Sequence, residues 1–275
     1  MTWFVNYQQN ITVSPADRGL AYGDGVFETI RTFPLSFSEL KFHLSRLYRG
    51  LNKLGMPFSA EQKQTLCDFL YQTVLPKIEH ESVIKIIVTR GEGGRGYLPP
   101  INCEHMISVG ILPAPDYNSQ RQNGVALSLS PIPVSNNRFL AGMKHLNRLE
   151  NVLAKQRLTV PYFESIMFDS HQHIVECIQS NIFWFKDGLL FTPSLISSGV
   201  QGTYRSAIIS GQSQYCVQTG RFKLSALESA DEVFITNSLM GIVPVTRIVD
   251  RSLPIGVHTL TLQKLMQKKD KHGAI

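Results

Sequence analysis

Helical and strand-like hydrophobic patterns alternate along this chain, and this alternation limits its fold more than any other feature. Between Glu39 and Leu54, leucines recur at helical spacing and Gly55 closes the run, which predicts an amphipathic helix with Arg46 on or near its inner face. A second helix is predicted over Ala60 to Leu75. The run from Ser82 to Thr89 is instead rich in β-branched residues and predicts a strand. The pattern therefore indicates an α/β (α+β-like) fold.

The proline-containing segment 113–118 has the composition of a linker and suggests a division of the chain. Before it, an apolar run at Met106 to Leu112 can pair with the strand at 82–89. After it we expect a strand near Val125 to Leu129, a helix from His145 to Leu158, a strand pair around Glu164 to Trp184 and a final helix near Thr259 to Lys269. The sequence thus predicts a smaller N-terminal α/β domain (1–114) and a larger C-terminal domain (115–275) that contains Lys144.

Composition narrows the class of protein. Neither a secretory signal nor an uncharged span of membrane length is evident, so a cytoplasmic protein without a membrane partner is expected. The four cysteines, which lie far apart, favour neither a zinc site nor a disulfide framework, and no metal is predicted. Part of the net charge of +6 comes from the last turns, which favours a solvated helix face over a nucleic-acid surface; these residues are Lys264, Lys268, Lys269 and Lys271.

The glycine-rich loop Gly91-Glu92-Gly93-Gly94-Arg95-Gly96 matches the G-x-G-x-x-G pattern of dinucleotide-binding sites. That site needs a helix that begins within the loop, and Pro99 and Pro100 make such a helix unfavourable. Two interpretations stay open. The loop presents Arg95 and Tyr97 to an anion, or it is a hairpin loop with no ligand.

Lys144 stands in the segment Lys144-His145-Leu146-Asn147-Arg148-Leu149-Glu150. By composition alone a lone lysine is usually a solvated surface charge. This segment, however, resembles the cofactor-lysine segment of 4-amino-4-deoxychorismate lyases, which are members of the fold-type IV pyridoxal-phosphate class together with branched-chain and D-amino acid aminotransferases. The resemblance implies that Lys144 holds pyridoxal 5'-phosphate as a Schiff base.

Four further motifs carry the same resemblance in the same order along the chain. Residues 14–28 resemble the N-terminal signature of the class, and residues 43–47 resemble its phosphate-arginine helix, which contains Arg46. Residues 175–183 resemble the stretch with the carboxylate of the pyridine nitrogen, here Glu176, and residues 199–205 resemble a phosphate-binding turn.

These motifs imply cofactor contacts for several side chains. A carboxylate at Glu176 would keep the ring nitrogen protonated. Gly202 and Thr203 are expected to open a helix whose free N–H groups suit a phosphate, with Arg46 as a further phosphate ligand. A turn at residues 236–238 resembles another phosphate-side turn, which adds Asn237 and Ser238. A surface charge for Glu176 or Arg46, and an ordinary helix-entry glycine for Gly202, are the alternatives.

Within the class, the segment at Lys144 and the loop at 90–97 resemble the lyases more closely than the aminotransferases. The resemblance implies conversion of 4-amino-4-deoxychorismate to 4-aminobenzoate and pyruvate, a step toward folate, with Lys144 as base and with Arg95 and Tyr97 as substrate contacts. A D-amino acid or branched-chain aminotransferase is the alternative within the class, and a non-catalytic binding protein that retains the fold is the alternative outside it. A homodimer that takes a small anionic substrate is expected by analogy.

Overall fold

A computed structural model describes residues 1–212 and 215–271, and all of their side chains except those of residues 211, 212 and 268–271. The chain forms two compact units. The first contains Met1–Pro115 and Met143–Asn147, and the second contains Asp116–Gly142 and the described residues from Arg148 to Lys271. The segment with Lys144 therefore belongs to the first unit, whereas the sequence placed it in the C-terminal domain. The predicted domain boundary at 114/115 stays a prediction.

The first unit is an antiparallel sheet with helices packed against it. Its strands follow the order β1-β5-β4-β2-β3 in the sheet. They are β1 (Thr2–Val5), β2 (Gly25–Phe33), β3 (Ser36–Phe37), β4 (Ser82–Thr89) and β5 (Met106–Pro113). The helices are α1 (Arg18–Tyr22), α2 (Leu40–Lys53) and α3 (Ala60–Phe69), and α3 continues as a π-helical turn (Leu70–Val74) and a 3-10 turn (Leu75–Lys77). These elements confirm the predicted helices and the predicted pairing of β4 with β5.

Strand β2 contributes a buried carboxylate to the first unit. Alternate side chains of a strand point to one face, and in β2 this alternation buries Val26, Glu28 and Ile30. Helix α2 brings its apolar side, with Leu47 and Leu51, into the same core. Glu28 is thus a carboxylate held between two buried apolar residues, which requires charged partners close by.

The segment that contains Lys144 is extended, so the prediction of a helix from His145 is wrong in its first turn. The amide of Phe27 donates to the carbonyl of Lys144 at 2.9 Å, and the amide of Leu146 donates to the carbonyl of Gly25 at 3.0 Å. This pairing with β2 takes the backbone groups that a helix would use, and helix α5 (Leu149–Gln156) begins only at Leu149.

The second unit is built on a nine-stranded mixed sheet. Its strand order is β11-β10-β9-β12-β13-β6-β7-β8, and β14 pairs with β13. The strands are β6 (Val125–Leu129), β7 (Glu164–Phe168), β8 (Ile174–Cys177), β9 (Asn181–Lys186), β10 (Leu189–Pro193), β11 (Val217–Gly220), β12 (Glu232–Asn237), β13 (Gly241–Ile248) and β14 (Arg251–Ser252). The predicted strand β6 is confirmed, and the predicted pair at 164–184 is three strands.

Short helices complete the second unit. They are α4 (Asn118–Asn123), α5, α6 (Thr203–Ala207), α7 (Ser225–Glu228) and α8 (Val257–Lys271), with a π-helical turn (Ile208–Gln212) after α6. Helix α8 confirms the predicted final helix. Lys264 is exposed on it, while the side chains of Lys268, Lys269 and Lys271 lie outside the described residues. In the described ranges, none of the helices combines the length and the apolar character that crossing a membrane requires. The mixed α/β prediction is confirmed.

Candidate active site

Lys144 lies in the extended segment that pairs with strand β2 of the first unit. Its side chain is half-buried, and its amine nitrogen is 4.4 Å from the centre of the Phe27 ring. The negative face of an aromatic ring attracts a cation at this distance. On either side of Lys144, Met143 and His145 are buried. The amine therefore stands on a firmly held backbone and an aromatic support, in contrast to the freely solvated lysine that composition alone favours.

Beside Phe27, the buried carboxylate of Glu28 is bound by two side chains of α2. The Arg46 guanidinium donates to both carboxylate oxygens, at 2.7 Å from Nε and at 2.6 Å from Nη2. His43 Nδ1 lies 2.6 Å from the same carboxylate. His43 and Arg46 share one face of α2 because three positions separate them. The structure thus gives Arg46 a bidentate partner that the sequence motif did not reveal.

The charges of Glu28 and His43 follow from their burial and from the groups beside them. Burial raises the pKa of Glu28, but the Arg46 guanidinium and His43 more than offset this effect and lower the pKa to about 2. Burial lowers the pKa of His43, the Arg46 and Lys144 charges act in the same direction, and only Glu28 opposes them. At neutral pH, Glu28 is therefore an anion that balances Arg46, and the imidazole of His43 is neutral.

The glycine-rich loop has no helix, as the prolines predicted, and it closes in a tight turn between Arg95 and Leu98. A residue that the sequence reasoning did not single out shapes this loop. The buried guanidinium of Arg18 donates to the carbonyls of Gly93 at 3.2 Å, Gly96 at 2.9 Å and Tyr97 at 3.2 Å. An arginine has five N–H donors in a rigid fork, so one side chain can fix three loop carbonyls.

Asp24 holds Arg18 in this position. Its carboxylate accepts from Arg18 at 3.0 Å and from Arg90 at 2.8 Å. Burial raises the pKa of Asp24, and the two guanidinium groups outweigh burial and lower it. The Asp17-Arg18-Gly19 and Gly23-Asp24-Gly25 residues therefore build a scaffold for the loop. Only their motif resemblance could have drawn attention to them, because the loop carbonyls that Arg18 binds and the Arg90 that Asp24 binds are 66 or more positions away.

Arg95 and Tyr97 are exposed at the tip of the loop, and 88% of Tyr97 is accessible. The Tyr97 ring packs edge-on against the Tyr22 ring at 5.6 Å. Both side chains are accessible to a solute, which fits the interpretation of a loop that offers them to an anion. Their role toward a substrate stays a prediction.

In the second unit, Glu176 is the third residue of β8 and is 5% exposed. Its Oε2 accepts from the amide of Val200 at 2.9 Å and from Nδ2 of Asn181 at 3.4 Å. The alternative of a solvated strand charge for Glu176 does not fit this burial. The half-buried guanidinium of Arg148 and the buried guanidinium of Arg205 also interact electrostatically with Glu176. Burial lowers the pKa of Arg205 to about 10, and Glu176 opposes this shift.

The turn at residues 199–203 leads into α6, as predicted, with Gly202 as the N-terminal cap. Gly202 does not offer a free amide, however, because its N–H donates to Oδ1 of Asn181 at 3.1 Å. A side chain at Gly202 would collide with the same oxygen. The backbone amides of α6 that could receive a phosphate therefore begin one residue later, at Thr203.

Two threonine hydroxyls near these turns lack partners. Thr203 and Thr236 are 4% and 0% exposed, and within residues 1–212 and 215–271 neither Oγ1 atom has a hydrogen-bond partner. Such buried hydroxyls are costly unless something binds them. Asn237, in contrast, already uses its side chain inside the turn, where Oδ1 accepts from the amides of Leu239 and Met240. Ser238 is half-buried beside it. Thr236 belongs to the turn that the sequence indicated, but only Asn237 and Ser238 were predicted as its contacts, because an unpartnered hydroxyl leaves no sequence signal.

Comparisons with known proteins agree with this geometry. The family model for amino-transferase class IV matches residues 25–248. The chain is 35% identical to an aminodeoxychorismate lyase of Vibrio harveyi, over 96% of this chain and 98% of that protein. It is 29% identical to a D-alanine aminotransferase of Listeria monocytogenes, over 88% of this chain and 84% of that protein.

A solved structure is also similar. The crystal structure of 4-amino-4-deoxychorismate lyase from Pseudomonas aeruginosa matches with a TM-score of 0.89 and 34% identity, and covers 97% of this chain and 98% of that chain. The predicted fold-type IV architecture is therefore confirmed. The family match spans most of the chain, and the lyase matches extend over nearly all of it. The chain belongs to the class IV aminotransferase family, whose enzymes depend on pyridoxal phosphate.

Proposed function

We propose that this protein is a pyridoxal-phosphate-dependent lyase that converts 4-amino-4-deoxychorismate to 4-aminobenzoate and pyruvate. The observation that carries the proposal is the setting of Lys144, whose amine lies 4.4 Å from the Phe27 ring centre on a backbone paired with β2. Full-length similarity to lyases of Vibrio and Pseudomonas supports the reaction.

The residues present fit the cofactor in each unit. In the first unit, Lys144 supplies the amine that would hold the cofactor aldehyde. In the second unit, the unpartnered hydroxyls of Thr203 and Thr236 and the first amides of α6 suit phosphate oxygens. We assign the phosphate to Thr203, with Gly202 shaping the turn, and propose Arg46, Asn237 and Ser238 as further phosphate-side residues, as the resemblance implies.

Glu176 is the residue that we assign to the pyridine nitrogen. Its carboxylate is buried and interacts electrostatically with the guanidinium groups of Arg148 and Arg205. An ionised carboxylate keeps a ring nitrogen protonated. When bound, pyridoxal phosphate withdraws electrons from the substrate carbon that loses its proton.

Lys144 would have a second role, as a base. Its amine would remove the proton from the ring carbon that bears the substrate amine, and the C–O bond to the enolpyruvyl group would break as the carbocycle becomes aromatic. The half-buried position on Phe27 limits the directions in which the amine can swing. The side chain would leave as enolpyruvate, which becomes pyruvate when its methylene carbon gains a proton, and no amino group is transferred.

Arg95 and Tyr97 are the proposed substrate contacts. The substrate is a small anion with two carboxylates, and an exposed guanidinium binds a carboxylate through paired N–H groups. Arg18 keeps the loop in shape while both side chains stay accessible. We further propose that the protein acts in the cytoplasm as a homodimer.

The alternative is a D-amino acid or branched-chain aminotransferase, which the similarity to the Listeria D-alanine aminotransferase favours. It would use the same Lys144, Glu176 and Arg46. One experiment separates the two reactions. The cofactor-loaded enzyme is incubated with 4-amino-4-deoxychorismate while 4-aminobenzoate and pyruvate are followed together, and a parallel assay contains D-alanine and 2-oxoglutarate.

Equal release of 4-aminobenzoate and pyruvate, without keto acid from D-alanine, is the expected result. Keto acid formed from D-alanine without any 4-aminobenzoate would overturn the lyase proposal and establish an aminotransferase. A protein that loads with cofactor but turns over neither substrate would refute the lyase and the D-amino acid aminotransferase.

A further inference from the structure

Asn181 is a buried amide that touches both parts of the proposed cofactor site in the second unit. It is the first residue of β9 and is 5% exposed. Its Nδ2 donates to the carbonyl of Val200 at 3.0 Å and to Oε2 of Glu176 at 3.4 Å, and its Oδ1 accepts from the amide of Gly202 at 3.1 Å. One side chain thus joins the carboxylate assigned to the ring nitrogen and the turn assigned to the phosphate.

The pattern of these bonds requires an amide. Val200 and Glu176 offer acceptors and Gly202 offers a donor, and among side chains of this length only an asparagine presents two donors and an acceptor together. The amide of Val200 donates in turn to Glu176 at 2.9 Å. Glu176, Asn181 and the turn at 200–202 therefore form a closed ring of hydrogen bonds.

Close packing makes this arrangement sensitive to small changes. A side chain at Gly202 would collide with Asn181 Oδ1, and one at Gly199 would press on the Glu176 carboxyl group. The neighbouring Thr203 hydroxyl, which has no partner in the described part of the chain, directly follows Gly202. A shift of the Asn181 amide would therefore move Glu176 and the first residues of α6 together.

We propose that Asn181 is a positioning residue for cofactor binding, which sets the distance between the Glu176 carboxylate and the turn at 200–203. The inference rests on the proposed function, because it assumes that Glu176 and Thr203 contact pyridoxal phosphate. It goes further in assigning to Asn181 the rigid coupling of these two contacts. Its carboxamide never has to touch the cofactor.

Two substitutions separate the donor and acceptor roles. Asn181→Ala removes both, while Asn181→Asp keeps an acceptor for Gly202 but replaces the donor beside Glu176 with a carboxylate oxygen. The two carboxylates of that variant would repel each other at this distance. Asn151→Ala is the matched control, because the Asn151 amide donates to the Ile178 carbonyl at 2.8 Å in the same unit.

The measured quantities are the dissociation constant of pyridoxal phosphate from each cofactor-free variant, by absorbance titration, and the pH dependence of the bound cofactor's spectrum. We expect Asn181→Ala to weaken binding by roughly tenfold to a hundredfold, the effect of losing hydrogen bonds to a charged group and its turn. Asn181→Asp should weaken it at least as much and move the spectral pH dependence. The control should bind like wild type.

A double-substitution cycle with Glu176→Gln tests the coupling. If Asn181 acts through Glu176, the double variant loses affinity by a smaller factor than the product of the factors for the two single variants. A double variant whose loss equals the product of the two single losses would overturn the proposal. So would an unchanged dissociation constant in both Asn181 variants. If Asn181→Ala does not fold, the nearly isosteric Asn181→Asp carries the same test. Wild-type protein that fails to bind pyridoxal phosphate would instead refute the proposed function.

Discussion

The amine of Lys144 lies 4.4 Å from the centre of the Phe27 ring, while the amide of Phe27 donates to the carbonyl of Lys144 at 2.9 Å. Backbone pairing and the aromatic contact thus join the same two residues, although they are more than 100 positions apart in the chain. Lys85 lies against the same ring, at 5.8 Å. The first unit therefore presents two amines near one ring, and only one of them stands in the segment that resembles a cofactor site.

Replacing Lys144 by alanine should abolish turnover and the visible absorbance of the lysine-bound cofactor, because the side chain supplies both the anchoring amine and the base. The fold should persist, since the change removes little buried apolar area. Absorption spectra and circular dichroism measure the two effects. Lys85→Ala is the control and should retain both absorbance and turnover. An unchanged spectrum in the Lys144 variant would remove this lysine from the site.

Glu28→Gln should destabilise the protein at neutral pH by about 3 kcal/mol or more, because it leaves the Arg46 guanidinium buried without its anion. Since the folded-state pKa of Glu28 is lowered to about 2 from 4.5, its ionisation stabilises the fold above pH 4.5 and this contribution is lost as the pH falls toward 2. The free energies of unfolding of wild type and variant, measured by urea denaturation, should therefore come closer together as the pH falls over this range. A difference independent of pH would contradict the buried ion pair.

Glu164 should have the opposite effect on stability. This buried carboxyl group accepts from the amide of Gln179 at 2.9 Å and from the Ser180 hydroxyl at 3.1 Å, and burial raises its pKa to about 7 from 4.5. A raised pKa means that stability is greatest below pH 4.5 and is lost as the pH rises through 7, by about 3 kcal/mol in all. In urea denaturation, the free energy of unfolding of Glu164→Gln should match that of wild type near pH 5 and exceed it at pH 8. A difference between the two free energies of unfolding that does not change with pH would refute the raised pKa of Glu164.

Arg95→Ala should raise the KM for 4-amino-4-deoxychorismate by roughly tenfold to a hundredfold, because a charge-assisted contact to a carboxylate is lost. The kcat and the cofactor spectrum should change little, since the proposed role of this exposed residue is to bind the substrate and not to hold the cofactor. Arg49→Ala, which removes another exposed arginine of the same unit, is the control. Equal KM values for both variants and wild type would withdraw the carboxylate role from Arg95.

Local patterns sufficed for much of the fold. The leucines of α2 and the β-branched residues of β4 signal their elements because a helix face and a strand face repeat within a few residues. The same rules failed at residues 145–148, where the apolar spacing suits a helix but pairing with β2 prevails. A partner more than 100 positions away leaves no trace in local periodicity.

The site divides in a similar way. Lys144, Glu176 and Arg46 stand in motifs whose order along the chain can be recognised from sequence. Asn181 lies within one of these motifs, yet its links to Glu176 and Gly202 depend on the packing of β8, β9 and the turn before α6. Arg18 is similar, because its three carbonyl partners become visible only when the loop is folded. Coordinates were needed wherever a bond joins distant segments.

The central claim is that Lys144 is the residue that holds the cofactor, and one measurement tests it most directly. The cofactor-loaded protein is treated with borohydride, which fixes the cofactor to the amine that binds it, and the digested peptides are mapped by mass spectrometry. We predict the phosphopyridoxyl group on Lys144 alone. A group found on Lys85 or on another lysine, with Lys144 unmodified, would contradict the account.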